Sequence, residues 1–266
     1  MAGHEISRAV LWQKRRRGEI RDAAAAGAVA LLPTGAVEQH GPHLPLDTDS
    51  FTAFTVCARA AEDIGEFPVL VLPPVWWGLS PYWMLFPGTL TLRPETLLAL
   101  IGDVAESVAH HGLRRLVIVN GHGGNDGLIQ AAAVKSSQAG LEVAALSYWN
   151  LIPEVLRDLT ERDAGSIGHA GEMETSIQLH LQPECVELKD VTPEQCVALG
   201  PRTERDDPAD QGIYLPPNPR MEAPHGVYGA AHAGTADKGR QAIDAAARAL
   251  ADFVRRFRGD PAPPAG

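Results

Sequence analysis

Four short apolar runs, each ended by a polar or glycine-rich stretch, limit what this chain can fold into more than any other feature. They are Ala28 to Pro33, Phe67 to Val75, Leu116 to Asn120 and Val143 to Tyr148. Runs this short, bounded by turn residues, suit strands buried on both faces. Helix-forming segments separate them: residues 6–28 with Gly27 as a stop, Thr52 to Ile64, Pro94 to His111 and Asp126 to Gln138. Pro94 falls in a first turn and Gly112 just past an end, the expected asymmetry of helix punctuation. Met173 to Leu181 and Lys238 to Phe257 read as two further helices, and the Pro, Asp and Arg-rich stretch 201–224 as a surface excursion. Strands alternating with helices predict an α/β fold with a mainly parallel sheet covered on both faces. No internal repeat and no clear linker divide the 266 residues, so a single domain, 1–266, is expected.

Composition narrows the function classes. Hydrophobic residues at 45% and charged residues at 21% argue for a packed core over disorder. A formal charge of -10 counts against a nucleic-acid partner, because phosphate contacts need clustered Lys and Arg. The basic run Lys14 to Arg17 is short and reads as a solvated helix face. Cys57, Cys185 and Cys196 are scattered without CxxC spacing, which suits reduced cysteines and a cytoplasmic location. No run reaches the ~20 apolar residues of a bilayer span, so no membrane partner is expected.

Three polar constellations carry the chemistry. Glu38, His40, Asp47 and Asp49 follow the first apolar run, where open α/β sheets place ligands. Glu38 and His40, two apart in extended chain, point the same way. Buried together without a cation, these carboxylates and imidazoles would desolvate and repel one another. They could instead form a solvated polar loop. The second constellation is Asn120-Gly121-His122-Gly123-Gly124-Asn125, whose glycines permit close backbone approach to a ligand. A phosphate loop is the competing reading, but GxxxxGK[ST] is absent. The third, His169-Ala170-Gly171-Glu172-Met173-Glu174, opens a helix, where one Glu would need no further explanation than the helix dipole. No GxSxG elbow occurs and no Cys lies in a glycine-rich setting, which leaves metal-activated water as the expected nucleophile.

The strings LPTGAVEQHGPHLPLDTD (32–49), FPGTLTL (86–92), VNGHGGN (119–125), HAGEMETS (169–176) and GVYGAAHAGTADKG (226–239) resemble, in order, the motifs of the creatininase (creatinine amidohydrolase) family. The resemblance implies a three-layer α/β/α sandwich, often a homohexamer, with two divalent metal ions per subunit, zinc, manganese or iron. It implies Glu38, His40, Asp49 and His122 as metal ligands, with Asp49 rather than Asp47 bridging, and His169 and Glu174 as catalytic residues. Creatininase carries a metal-binding Glu two residues after the second-motif His, where this chain has Gly124. Glu172 is expected to fill that gap. Tyr148 and Trp149 resemble a stretch near the creatininase substrate pocket, and Trp83 replaces a His common in other members. With Gly123 these are the expected substrate contacts. The expected reaction is hydrolysis of an amide-type C–N bond in a small molecule, a cyclic amide or formamide. A clipped peptide or a cyclic sugar derivative is the alternative substrate. A non-catalytic metal-binding scaffold, or a sugar- or nucleotide-binding module, is the alternative class.

Overall fold

A computed structural model of the chain describes residues 6–160, 168–197 and 223–259. Four parallel strands form one sheet: β1 (Val29–Thr34), β2 (Val69–Val71), β3 (Arg115–Asn120) and β4 (Glu142–Ser147), in the order β2-β1-β3-β4. Among the described residues seven α-helices cover it: α1 (Arg17–Ala25), α2 (Thr48–Asp63), α3 (Pro94–His110), α4 (Asp126–Ser137), α5 (Pro153–Leu159), α6 (Glu172–Leu181) and α7 (Ala236–Arg258).

The alternation of side chains along each strand explains the layers. Val29, Leu31, Val69, Val71, Val117 and Val119 face one way, into a core shared with α2, α6 and α7. Ala30, Leu32, Leu70, Leu116 and Ile118 face the other way, against α1, α3 and α4. Because both faces are covered, the strands are apolar except at their ends, where Thr34, Arg115, Asn120, Glu142 and Ser147 stand. Truncating a residue such as Ile118 to Ala would cost about 2–5 kcal/mol. The fold is the expected α/β/α sandwich with a parallel sheet. No helix among the described residues is long and apolar enough to cross a membrane.

Several boundaries differ from expectation for identifiable reasons. The long helix expected over 6–28 is a 3-10 turn, Trp12–Lys14, followed by α1, because Leu11 is drawn out of helix to bridge Val71 at the sheet. β2 spans only Val69–Val71, after which Val75 bridges Thr34 and turns the chain over the sheet edge. Helix α2 starts four residues earlier than expected, at Thr48, which takes Asp49 out of the loop and into a helical first turn. The excursion over 201–224 lies outside the described residues except for its last two.

The strand order places the site. From β1 the chain passes to β2 on one side, then crosses back to β3 on the other, so the connections after β1 and β3 diverge. That divergence opens a crevice at the carboxyl edge of the sheet, the usual ligand position in open α/β folds. Thr34, Asn120 and Ser147 stand in register along this edge.

Candidate metal centre

The loop after β1 folds back on itself. The Glu38 amide donates to the Leu46 carbonyl at 3.0 Å, which returns the chain so that α2 begins beside Glu38. From β3 the chain enters through Gly121, where a Cβ would lie 2.3 Å from the Asp49 carbonyl oxygen. Only glycine allows that approach, and it brings His122 against the start of α2. Asn120 and Asn125 hold this turn: the Asn120 amide donates to the His122 carbonyl at 2.7 Å, and Asn125 donates to Gly35 O at 3.0 Å while accepting from the Leu79 amide. Glu38, His40, Asp49 and His122 thus converge in a buried cluster.

Hydrogen bonds on the far side of each ring decide what the near side offers. His40 Nδ1 lies 3.1 Å from the Glu38 carbonyl, and His122 Nε2 lies 3.0 Å from the Leu79 carbonyl. A carbonyl oxygen only accepts, so these nitrogens carry the proton. In the neutral rings the opposite nitrogens then present lone pairs to carboxylates. His40 Nε2 is 3.0 Å from Asp49 Oδ1, and His122 Nδ1 is 3.0 Å from Asp49 Oδ2 and 3.3 Å from Glu38 Oε1. His169 Nδ1 is 3.4 Å from the same Glu38 oxygen. Its Nε2 lies 2.7 Å from Gln39 O and 2.9 Å from Gln39 Nε2, an acceptor and a donor, so either tautomer is satisfied. Both Glu38 carboxylate oxygens and Asp49 Oδ2 are buried and accept no hydrogen bond from the described residues. Acceptors facing acceptors at 3.0 Å, with orphaned buried oxygens, need a positive charge between them.

Without a cation, protons fill that role. Burial opposes charge on His40, yet Asp49, Glu174 and Glu38 outweigh it and raise its pKa to about 10. His122 is likewise raised against its burial, chiefly by Glu38. Asp49 is held low: burial would raise it, but His40 and His122 overcome that. His169 is pushed down by burial and by His40, and burial raises Glu174 and Tyr148.

Three sets of side chains bring ligand atoms within 4.8 Å of one another: Glu38, Asp49 and His122; His40, Asp49 and Glu174; and Glu38, His40 and His169. The first two share Asp49. The donor set fits divalent cations: carboxylate oxygens and neutral imidazoles, with His40 and His122 oriented by backbone carbonyls, as metal-ligating histidines usually are.

Glu172, expected to complete the cluster, lies elsewhere. Its buried carboxylate pairs with Lys238 Nζ, and it belongs to none of the three sets. Glu174 faces the cluster instead, with Oε2 3.8 Å from His40 Nε2 and accepting from the Ala170 amide. Ala170 has φ +55, in the left-handed region that non-glycine residues rarely adopt, as strained residues at functional sites do. Trp83 is buried and stacks on His169 at 4.2 Å, and the His40 ring lies tilted against the same imidazole at 4.4 Å. Tyr148 is buried near enough to Glu174 and Asp49 to feel their charge, and Trp149 packs edge-on against it. Gly123 borders open space, whereas a Cβ on Gly124 would fall 2.2 Å from the Tyr82 hydroxyl and 2.4 Å from Leu79 O. Gln39 and Ser80 were not singled out from sequence, and of the two only Gln39, between Glu38 and His40, had a positional hint. Ser80 Oγ and Tyr82 Oη lie 3.2 and 3.4 Å from His122 Nε2.

Residues 13–254 match the Creatininase family (creatinine amidohydrolase). The chain is 31% identical over 248 residues to creatinine amidohydrolase of Pseudomonas putida, covering 87% of this chain and 90% of that protein. It is 37% identical over 169 residues to the mycofactocin precursor peptide peptidase of Mycolicibacterium smegmatis, covering 59% and 60%. It is also 25% identical over 281 residues to 3-dehydro-scyllo-inosose hydrolase of Thermotoga maritima, covering 96% and 87%. Among solved structures, a crystal structure of creatinine amidohydrolase superposes with a TM-score of 0.80 at 30% identity, covering 96% of this chain and 100% of that one. A manganese form of creatininase superposes at 0.78 and 30% identity, covering 93% and 98%. With motifs, fold and buried acid–imidazole cluster agreeing over nearly its whole length, the chain belongs to the creatininase family.

Proposed function

We propose that this protein is a metal-dependent hydrolase of amide-type C–N bonds, working as one domain on a small-molecule substrate. In this reading Glu38, Asp49 and His122 hold one divalent cation, and His40, Asp49 and Glu174 a second, with Asp49 shared. The observation that carries it is the set of buried Glu38 and Asp49 oxygens that accept no hydrogen bond among three imidazoles. Cations bound there would polarise an amide carbonyl and acidify a water molecule. Glu174 replaces Glu172 in the expected ligand set. The manganese and Zn-Zn forms of the structural neighbours support zinc or manganese before iron.

The chain's own residues supply the rest. His169 moves a proton at Nδ1, the nitrogen turned toward the acid cluster. Trp83 and His40 fix its plane, and Gln39 accommodates the ring with its Nε2 proton on or off. Tyr148, kept protonated by burial, is a hydrogen-bond donor for a substrate oxygen, and Trp149 buttresses it. Substrate enters over Gly123, where no described atom lies within 4 Å of the missing Cβ. Trp83 acts on substrate through His169. The homohexamer and the cytoplasmic location belong to the same reading, and light scattering tests the first.

A peptide substrate is the second reading. It is supported by 37% identity to a peptidase over the 169 matched residues, against 31% to creatinine amidohydrolase. It also gains from the absence of space for a creatininase-type side chain at Gly124. Elemental analysis of protein purified without added metal should find about two equivalents of a divalent transition metal. Metal-free protein, inert under every loading, would overturn the proposal. Assays with creatinine, formamides, lactams and short peptides then divide the two readings.

A further inference from the structure

We infer that Lys238 is a positioning residue for the metal centre: its ion pair with Glu172 clamps the turn that presents Glu174 and His169. Lys238 stands in the first turn of α7 and touches none of the three candidate ligand sets. Its ammonium pairs with the wholly buried Glu172 carboxylate and also donates to Ala233 O at 3.1 Å. Glu172 is the first residue of α6, two before Glu174 and three after His169.

Two more contacts lock the same two helix starts. The Thr235 amide, at the N-cap of α7, donates to Ser176 Oγ at 3.0 Å, while that hydroxyl donates to the Glu172 carbonyl at 2.7 Å. The absent Cβ of Gly239 would lie 1.9 Å from Ser176 O, so the two backbones touch. On the other side of the turn, the Tyr228 amide donates to His169 O at 2.8 Å. The Ala170 residue between these anchors holds a backbone conformation at φ +55 that it would leave if released. Its amide donates to Glu174 Oε2, so relaxation of Ala170 removes the bond that aims the Glu174 carboxylate. Removing the Lys238 ammonium takes away the ion pair that ties the first turn of α6 to the start of α7. The Glu172–Lys238 pair therefore sets the geometry of the second cation seat without entering it.

This rests on the two-cation reading for its consequence, but the clamp itself is readable without metal. The first measurement is amide hydrogen exchange over residues 168–175 in metal-free protein. In Lys238→Met, exchange there should quicken at least tenfold while that of α3 stays within twofold. The second is Mn(II) titration of the same proteins followed by electron paramagnetic resonance. The weaker of two sites should lose at least tenfold in affinity and the tighter should stay within twofold. The double exchange Glu172→Lys with Lys238→Glu should recover part of both effects. Unchanged exchange over 168–175 overturns the clamp, as does equal quickening throughout the protein, which would make the pair a general fold contact. Wild-type protein that takes up fewer than two ions would sink the two-cation reading and leave exchange alone to decide the clamp.

Discussion

Two buried charge clusters in this molecule are built differently. Near the end of α7, buried Arg255 is met by Asp63 at 3.2 Å, Glu66 at 3.1 Å and Asp252 at 3.3 Å, and it donates to the Asp63 carbonyl as well. Its acidic partners are half exposed, so water completes their solvation. At the carboxyl edge of the sheet, Glu38 and Asp49 are almost fully buried, and three of their four carboxylate oxygens accept no hydrogen bond. The Arg255 cluster is finished by the protein's own opposite charges together with solvent. In the Glu38–Asp49 cluster no described residue donates a hydrogen bond to those oxygens, and that incompleteness marks it as the candidate site.

The largest expected effect tests that contrast directly. Asp49→Asn removes the charge shared by both proposed cation seats. Bound metal should fall to one equivalent or none, and turnover of whichever substrate is found should fall by about 10³-fold or more, roughly 4 kcal/mol. Two equivalents retained in that variant would break the comparison at its centre.

A second test concerns His43, a buried imidazole beside the cluster whose Nε2 meets Thr175 Oγ1 at 2.9 Å. Burial, then His40, lowers its pKa to about 4. The unfolded chain, with a His pKa near 6.5, binds a proton that the folded chain refuses, so stability is complete above pH 6.5 and declines as pH falls toward 4. Urea unfolding should show the wild type losing up to about 3 kcal/mol more than His43→Gln over that window. Parallel pH curves for the two proteins would remove His43 from the account.

Gly123 and Gly124 make a narrower contrast within the site. Gly124→Ala drives a Cβ into Tyr82, Leu79 O and His122, and should cost about 1–3 kcal/mol in thermal or denaturant unfolding. Arg255→Met should cost roughly 1–2 kcal/mol, because its partners can turn to water, and should leave metal content untouched. Metal loss in Arg255→Met would show that the two clusters are coupled. The smallest effect is expected for Gly123→Ala, within about 0.5 kcal/mol of wild type in the same unfolding assay.

Much of the architecture was legible because its signals are local. The middle of each strand is apolar, since both sheet faces are covered, and polar residues such as Thr34, Arg115, Asn120, Glu142 and Ser147 stand at strand ends. The convergence of Glu38, His40, Asp49 and His122 could be read from motif order, since loops after β1 and β3 must meet at a switch point of the sheet. The boundary of α2 was less legible: the TDS stretch before the apolar positions is polar, yet it is helical because the Leu46 carbonyl closes the preceding loop on the Glu38 amide.

What sequence could not decide is clearest at Glu172 and Glu174. Both lie in the first turn of α6, two residues and therefore about 200° apart around the helix, so only one can face the cluster. Local pattern does not say which. The choice was made by Gly239 and Thr235, which set α6 against α7 and turn Glu172 to Lys238 and Glu174 to His40. Short-range chemistry thus fixed the strands, the turns and the kinds of ligand available. Packing between segments about sixty residues apart fixed which carboxylate faces the cluster, because a helix's rotation about its axis depends on the neighbour it packs against.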